Sequence, residues 1–186
     1  MGGHGYCRIV VAVALAAAGQ AEAQALLSRV SLSAPTGYAE VAATAETREW
    51  APARAAPDAA TRVVLLDRPR ESWDDAASVL KRLHRLLKDN CPQTKLETVS
   101  RPPPAHADAA VRGILYCPSH DASGRGLVVV EDVIVVGDRM LIAKLAYDLP
   151  PFSPGVKPLG RKQRATAYAV LDSITLLPAA PRVLPP

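Results

Sequence analysis

The chain has 186 residues, 49% of them apolar and 22% charged, with a net charge of +4. These values fit one globular domain and exclude a multidomain enzyme, a collagen-like chain or a wholly disordered one. Alanine supplies 33 residues and aromatics only 4%, so the core has to be built mainly from Val, Leu and Ile.

Residues 1–25 open with a short polar start carrying Arg8, continue in an apolar run over 9–18 and end in small residues, with A-x-A frames closing at Ala23 and Ala25. That is the pattern of a secretory signal peptide. It predicts a periplasmic or secreted protein cleaved after one of those two alanines. The apolar run is about ten residues long, whereas a bilayer span needs about twenty, so no transmembrane anchor is expected after cleavage. Cys7 precedes the apolar run instead of following it, which argues against lipidation. Its removal leaves Cys91 and Cys117, and an exported chain with two cysteines most economically pairs them. Such a bond would contribute roughly 3–4 kcal/mol in the chain-entropy account.

Residues 26–35 show no clear period and read as a lead-in to a single domain over 26–177. Residues 38–50, with Val41, Thr44 and Thr47, form a strand or hairpin candidate, and 51–60, with Pro52 and Pro57, read as a loop. Residues 62–66 are an apolar run of strand length. A helix is predicted over about 73–90. Ser72 followed by Asp75 resembles a capping box, Glu71, Asp74 and Asp75 suit the positive end of the dipole, and Ala76, Val79, Leu80, Leu83, Leu86 and Leu87 recur on one face. Asn90 and Pro92 stop it. Strands are expected over 96–99, 111–117, 127–136 and 140–147, the last two joined by a tight turn at Gly137-Asp138. Four prolines make 150–158 irregular. A second helix is predicted over about 161–177, followed by a proline-rich tail over 178–186. The pattern is α+β, an antiparallel sheet of five or six strands packed with two helices.

A helix ending in Cys91-Pro92, a strand ending in Cys117-Pro118, a turn containing Gly124 and the Gly137-Asp138 hairpin together resemble a group of uncharacterised exported proteins of Gram-negative bacteria. The resemblance covers about 62–147. It implies the fold and the extracytoplasmic location, and it brings no catalytic residue.

Several residue clusters invite a chemical reading. Zinc bound by Cys91, Cys117 and His120, with His106 as fourth ligand, lacks the close-spaced pairs of structural sites, so no metal and no cofactor is expected. Ser119-His120-Asp121 has the residue types of a hydrolytic triad, but consecutive side chains diverge and cannot converge on one axis. Glu131-Asp132 interrupts an apolar strand, which predicts a bulge or an edge position. Basic residues are the stronger signal. Lys81, Arg82, Arg85 and Lys88 lie on the polar side of the first helix. Lys157, Arg161, Lys162 and Arg164 gather where the second helix begins, with no acid between Leu149 and Leu171. Positive charge at a helix N-terminus opposes the dipole, so stability does not account for it. A surface for an anionic envelope component or an envelope protein does. Nucleic acid is not the expected partner, because the address is extracytoplasmic and stacking aromatics are few. The reading is an exported, non-catalytic binding domain. The alternative is a small periplasmic, hydrolase-like enzyme using Glu131 or Asp132 with His120.

Overall fold

Runs of Val, Ile and Leu too apolar for a half-solvated strand require cover on both faces, and the molecule is organised around that requirement. The computed structural model describes residues 25–54, 59–72 and 74–178. The elements are α1 (Ala25–Ser28), β1 (Val30–Ser31), β2 (Tyr38–Ala43), β3 (Thr47–Pro52), β4 (Arg62–Pro69), α2 (Ala76–Lys88), β5 (Lys95–Val99), β6 (Ala109–Cys117), β7 (Gly126–Val136), β8 (Arg139–Leu149), α3 (Arg161–Asp172) and β9 (Thr175–Leu176). Seven strands form one sheet in the order β2-β3-β4-β8-β7-β6-β5, antiparallel at every ladder, and β1 pairs with β9 separately. The α+β class is as expected, with two more strands at the β2 end than the shorter count allowed.

Alternation along β7 and β8 assigns the two faces. Val133, Val135, Met140 and Ile142 pack with Ala76, Val79 and Leu80 of α2. Their neighbours Val128, Val130, Leu141, Leu145 and Tyr147 pack instead with Ala167, Val170 and Leu171 of α3 and with Leu26 and Leu27 of α1. Helices α2 and α3 therefore lie on opposite faces of the sheet. Residues 26–35, which carry no period, are part of this second core, because Leu26, Leu27 and Val30 are buried.

Local chemistry places the ends. Asp75 itself caps α2, accepting from the Ser78 N–H at 2.6 Å, so the helix starts three residues later than a cap at Ser72 would allow. Leu86, expected on the buried stripe, is exposed. Gly113 permits close approach of α2: a Cβ there would stand 2.5 Å from a Leu80 methyl. The β7–β8 hairpin turns on Gly137-Asp138 with positive φ at Gly137 alone, the pattern of a type II′ turn. Helix α3 stops at Asp172, not 177. Ile174 is buried and Thr175–Leu176 pair with β1, so the second β-pair consumes residues assigned to the helix. The residues before Ala25, expected to form a signal peptide, Trp73, and the expected tail beyond Pro178 lie outside the described residues.

Cys91, just past α2, is bonded to Cys117 at the end of β6, with Cα atoms 5.8 Å apart and both residues buried. The bond ties the C-terminal end of α2 to the sheet face it covers. Replacing both cysteines by alanine should lower stability by roughly 3–4 kcal/mol in urea unfolding. An unchanged midpoint would show that packing of α2 alone holds the helix down.

Candidate functional site

The acids that interrupt β7 are not at a bulge. The β6–β7 and β7–β8 registers run without a break through Glu131 and Asp132, and both residues are fully buried because both faces are covered. They point to opposite faces. Asp132 lies on the α3 side, where Arg112 bonds it through two atoms at 2.7 and 2.9 Å and Arg101 forms a second ion pair. Arg112 also reaches Asp172 at the end of α3, at 2.8 Å, and stacks on the Tyr168 ring at 4.7 Å. Arg101 donates to the Leu171 carbonyl at 3.1 Å. Burial, followed by repulsion from Arg112, holds the Arg101 guanidinium below the usual arginine value. Two arginines and two aspartates thus fasten α3 and the segment after β5 to the sheet.

Glu131 lies on the α2 side with Lys144 Nζ at 3.4 Å. Burial pushes its carboxyl above the ordinary value, partly offset by the lysine charge. His120 belongs to a turn beyond β6, its N–H donating to the Arg125 carbonyl at 2.8 Å, while the next residue's N–H bonds Asn90. Glu131 and Asp132 thus lie on opposite faces, each with a basic partner of its own, and no contact joins either of them to His120 among the described residues. Among the described residues, no group of three or more His, Cys, Asp or Glu side chains could hold a metal.

The eight basic residues divide in the same way. Lys81, Arg85 and Lys88 are exposed on α2, and Arg82 pairs with Asp74 at 2.6 Å. Lys157, Arg161, Lys162 and Arg164 are at the other face, so they do not combine with the α2 group into one surface. Lys157 is neutralised by Glu97 at 2.7 Å, a contact that holds the Glu97 carboxyl below its ordinary range. Among the described residues Arg161, Lys162 and Arg164 make no ion pair; Arg161 and Lys162 are exposed, whereas Arg164 is half-buried, adds to the field that holds the Glu97 carboxyl low, and has its Nε buried without a hydrogen-bond partner. Gly160 begins α3 and offers no side chain to cap its first turn.

Hollows flank these three cations. On one side a cleft of about 510 Å³ opens between the first turn of α3 and the sheet, with Leu145 and Tyr147 at its floor and Pro35, Tyr38 and Ala60 in its walls. Arg161 and Lys162 line it too. On the other side an open hollow of about 460 Å³ is lined by Leu159, Arg161, Arg164, Ala165 and Tyr168.

No protein-family model and no curated protein matches the chain. Solved structures do. The Ran-binding protein Mog1p of Saccharomyces cerevisiae superposes with a TM-score of 0.57 at 10% identity, over 80% of this chain and 90% of its own. In fold, the chain resembles Mog1. A point mutant of protein Mog1 gives a TM-score of 0.55 at 8% identity, covering 81% of this chain and 92% of that one. LpqN of Mycobacterium tuberculosis, described as involved in cell envelope biogenesis, gives 0.48 at 12% identity over 80% and 83%. At these identities the likeness is one of architecture.

Sequence reading assigned no part to Arg101, which lies just after β5 and before three prolines. Arg112 carried a signal, a lone charge in an apolar strand whose register partner is an acid. Asp132→Asn should cost about 3–5 kcal/mol in urea unfolding, because it leaves two buried guanidinium groups sharing one half-exposed partner. Glu131 gives a pH test. Its raised folded value means that ionisation adds no cost below the ordinary value of 4.5 and a growing cost as pH rises past it. The stability of Glu131→Gln relative to wild type should therefore increase as pH rises from that point; a difference constant with pH contradicts the assignment.

Proposed function

We propose that this chain is an exported, non-catalytic binding domain that presents the first turn of α3 to an anionic component of the cell envelope. The observation that carries the reading is the group Arg161, Lys162 and Arg164. These cations lack ion-pair partners among the described residues and occupy the end of a helix where positive charge is unfavourable. They stand above two hollows of ligand size. Cations kept at a cost to helix stability are accounted for by a partner that neutralises them. Location is supported by the Cys91–Cys117 bond, of a kind that persists in oxidising compartments, by the signal-like segment over 1–25, and by the resemblance to exported Gram-negative proteins. No helix among the described residues is long and apolar enough to cross a membrane.

Binding to phosphatidylglycerol vesicles, with phosphatidylcholine vesicles as control, tests the surface. Reversing Arg161, Lys162 and Arg164 to Glu should weaken binding about tenfold or more, and salt should weaken the wild type in the same direction. Reversing Lys81, Arg85 and Lys88, on the opposite face, should leave binding as it was. Equal losses from the two triple variants would show that net charge, not this surface, governs attachment.

A further inference from the structure

The two ends of the larger cleft differ in chemistry. The apolar lining that solvent reaches is half-buried Pro35, Tyr38 and Ala59, while Leu145, Tyr147 and Ala60 lie beneath it, almost wholly buried. The polar tips of the two tyrosines are already committed: Tyr147 Oη donates to the Gln163 carbonyl at 3.3 Å, and Tyr38 Oη donates to the Ala60 carbonyl. Burial raises both hydroxyls, that of Tyr147 to about 12, so they remain neutral donors at physiological pH. What Tyr38 turns to the cleft is ring surface. A polar ligand entering here would lose its water without gaining hydrogen bonds from the tyrosines, whereas an apolar one gains by leaving water. At the mouth stand Arg161 and Lys162, exposed and without ion-pair partners among the described residues.

We infer that the 510 Å³ cleft is a binding site for an amphipathic anion, an acyl chain carrying a carboxylate or phosphate head, with the chain against Pro35, Tyr38 and Ala59 and the head against Arg161 and Lys162. The volume lies in the range of small-molecule sites. Charge and apolar surface select the same class of molecule: an inorganic anion leaves the floor wet, and a neutral amphiphile leaves the two cations without a counter-charge. This inference rests on the anionic-partner reading above and narrows it to a ligand whose tail enters the fold. The free acid and the lipid share this chemistry.

Titration calorimetry with dodecanoate on the processed protein purified from the periplasm tests it. Dodecanoate should bind; dodecyl maltoside, with a neutral head, should bind about tenfold more weakly or less, and inorganic phosphate should give no saturable heat. Thr166 is exposed on α3 and lines the cleft, so Thr166→Trp fills the space without entering the core. It should abolish dodecanoate binding while thermal unfolding stays as in wild type. Should that variant prove unstable, Arg161→Glu with Lys162→Glu, which alters only exposed side chains, should weaken dodecanoate about tenfold and leave dodecyl maltoside unchanged. Vesicles separate the sources. If Thr166→Trp also loses phosphatidylglycerol vesicles, the lipid itself enters the cleft, and if it keeps them, the occupant is the free acid. No dodecanoate binding, or binding unaffected by Thr166→Trp in a folded protein, overturns the cleft site. In that case, retained salt-sensitive vesicle binding would leave the basic-surface reading standing.

Discussion

Burial of β7 on both faces is the constraint from which the rest of the structure follows. Residues 130–135 of that strand are buried without interruption, so two helices are needed, one for each face. Each charged residue in the strand must then find its counter-charge within its own layer. Glu131 meets Lys144 beneath the α2 layer, and Asp132 meets Arg112 and Arg101 beneath α3. The ion cluster on the α3 side gains in return a fixed position for the helix, since Asp172 and the Leu171 carbonyl are held by the same two arginines. A buried charge pair adds little to stability when compared with apolar packing. Its value here lies in fixing where α3 ends and hence which way its first turn faces.

The same constraint separates the functional surfaces. A helix on each face means that the two basic groups, which look like one reservoir of charge in the linear chain, face opposite directions. On α2 part of the charge is absorbed locally, by Asp74 for Arg82, and Lys88 lies in the last turn, where the dipole favours a cation. On α3 neither explanation is available. Lys157 is taken by Glu97, and the remaining three cations stand at the disfavoured end of the helix beside apolar hollows.

Much of this was legible along the chain wherever one residue's neighbours settle its role. The α2 stripe apart from Leu86, the hairpin at Gly137-Asp138 and the strand beginning at Arg62 emerged from spacing and turn chemistry, and the cysteine pair from the number left after the signal-like segment; the structure contains each of them. Residues whose role depends on distant partners were not legible. Leu26, Leu27 and Val30 have no period because they fill the α3-side core from an element of only four residues and a strand of two. Ile174 and Leu176 continue a helical spacing but are claimed by the pair with β1. Glu131-Asp132 predicts a bulge only if one face of the strand is wet, and no local pattern reveals that both are dry. The cation group at 161–164 was visible from composition, while the cleft beneath it was not, since its walls come from Pro35, Ala60 and Tyr147, remote from one another in sequence.

If the α3 side is the binding face and the α2 side scaffold, a bound surface protects only the former. Hydrogen–deuterium exchange of the protein, with and without phosphatidylglycerol vesicles, decides between the two faces. Slowed exchange is expected in peptides covering 35–38 and 159–166, with α2 unchanged. Protection confined to α2, with the first turn of α3 exchanging as freely as in the unbound protein, would contradict it.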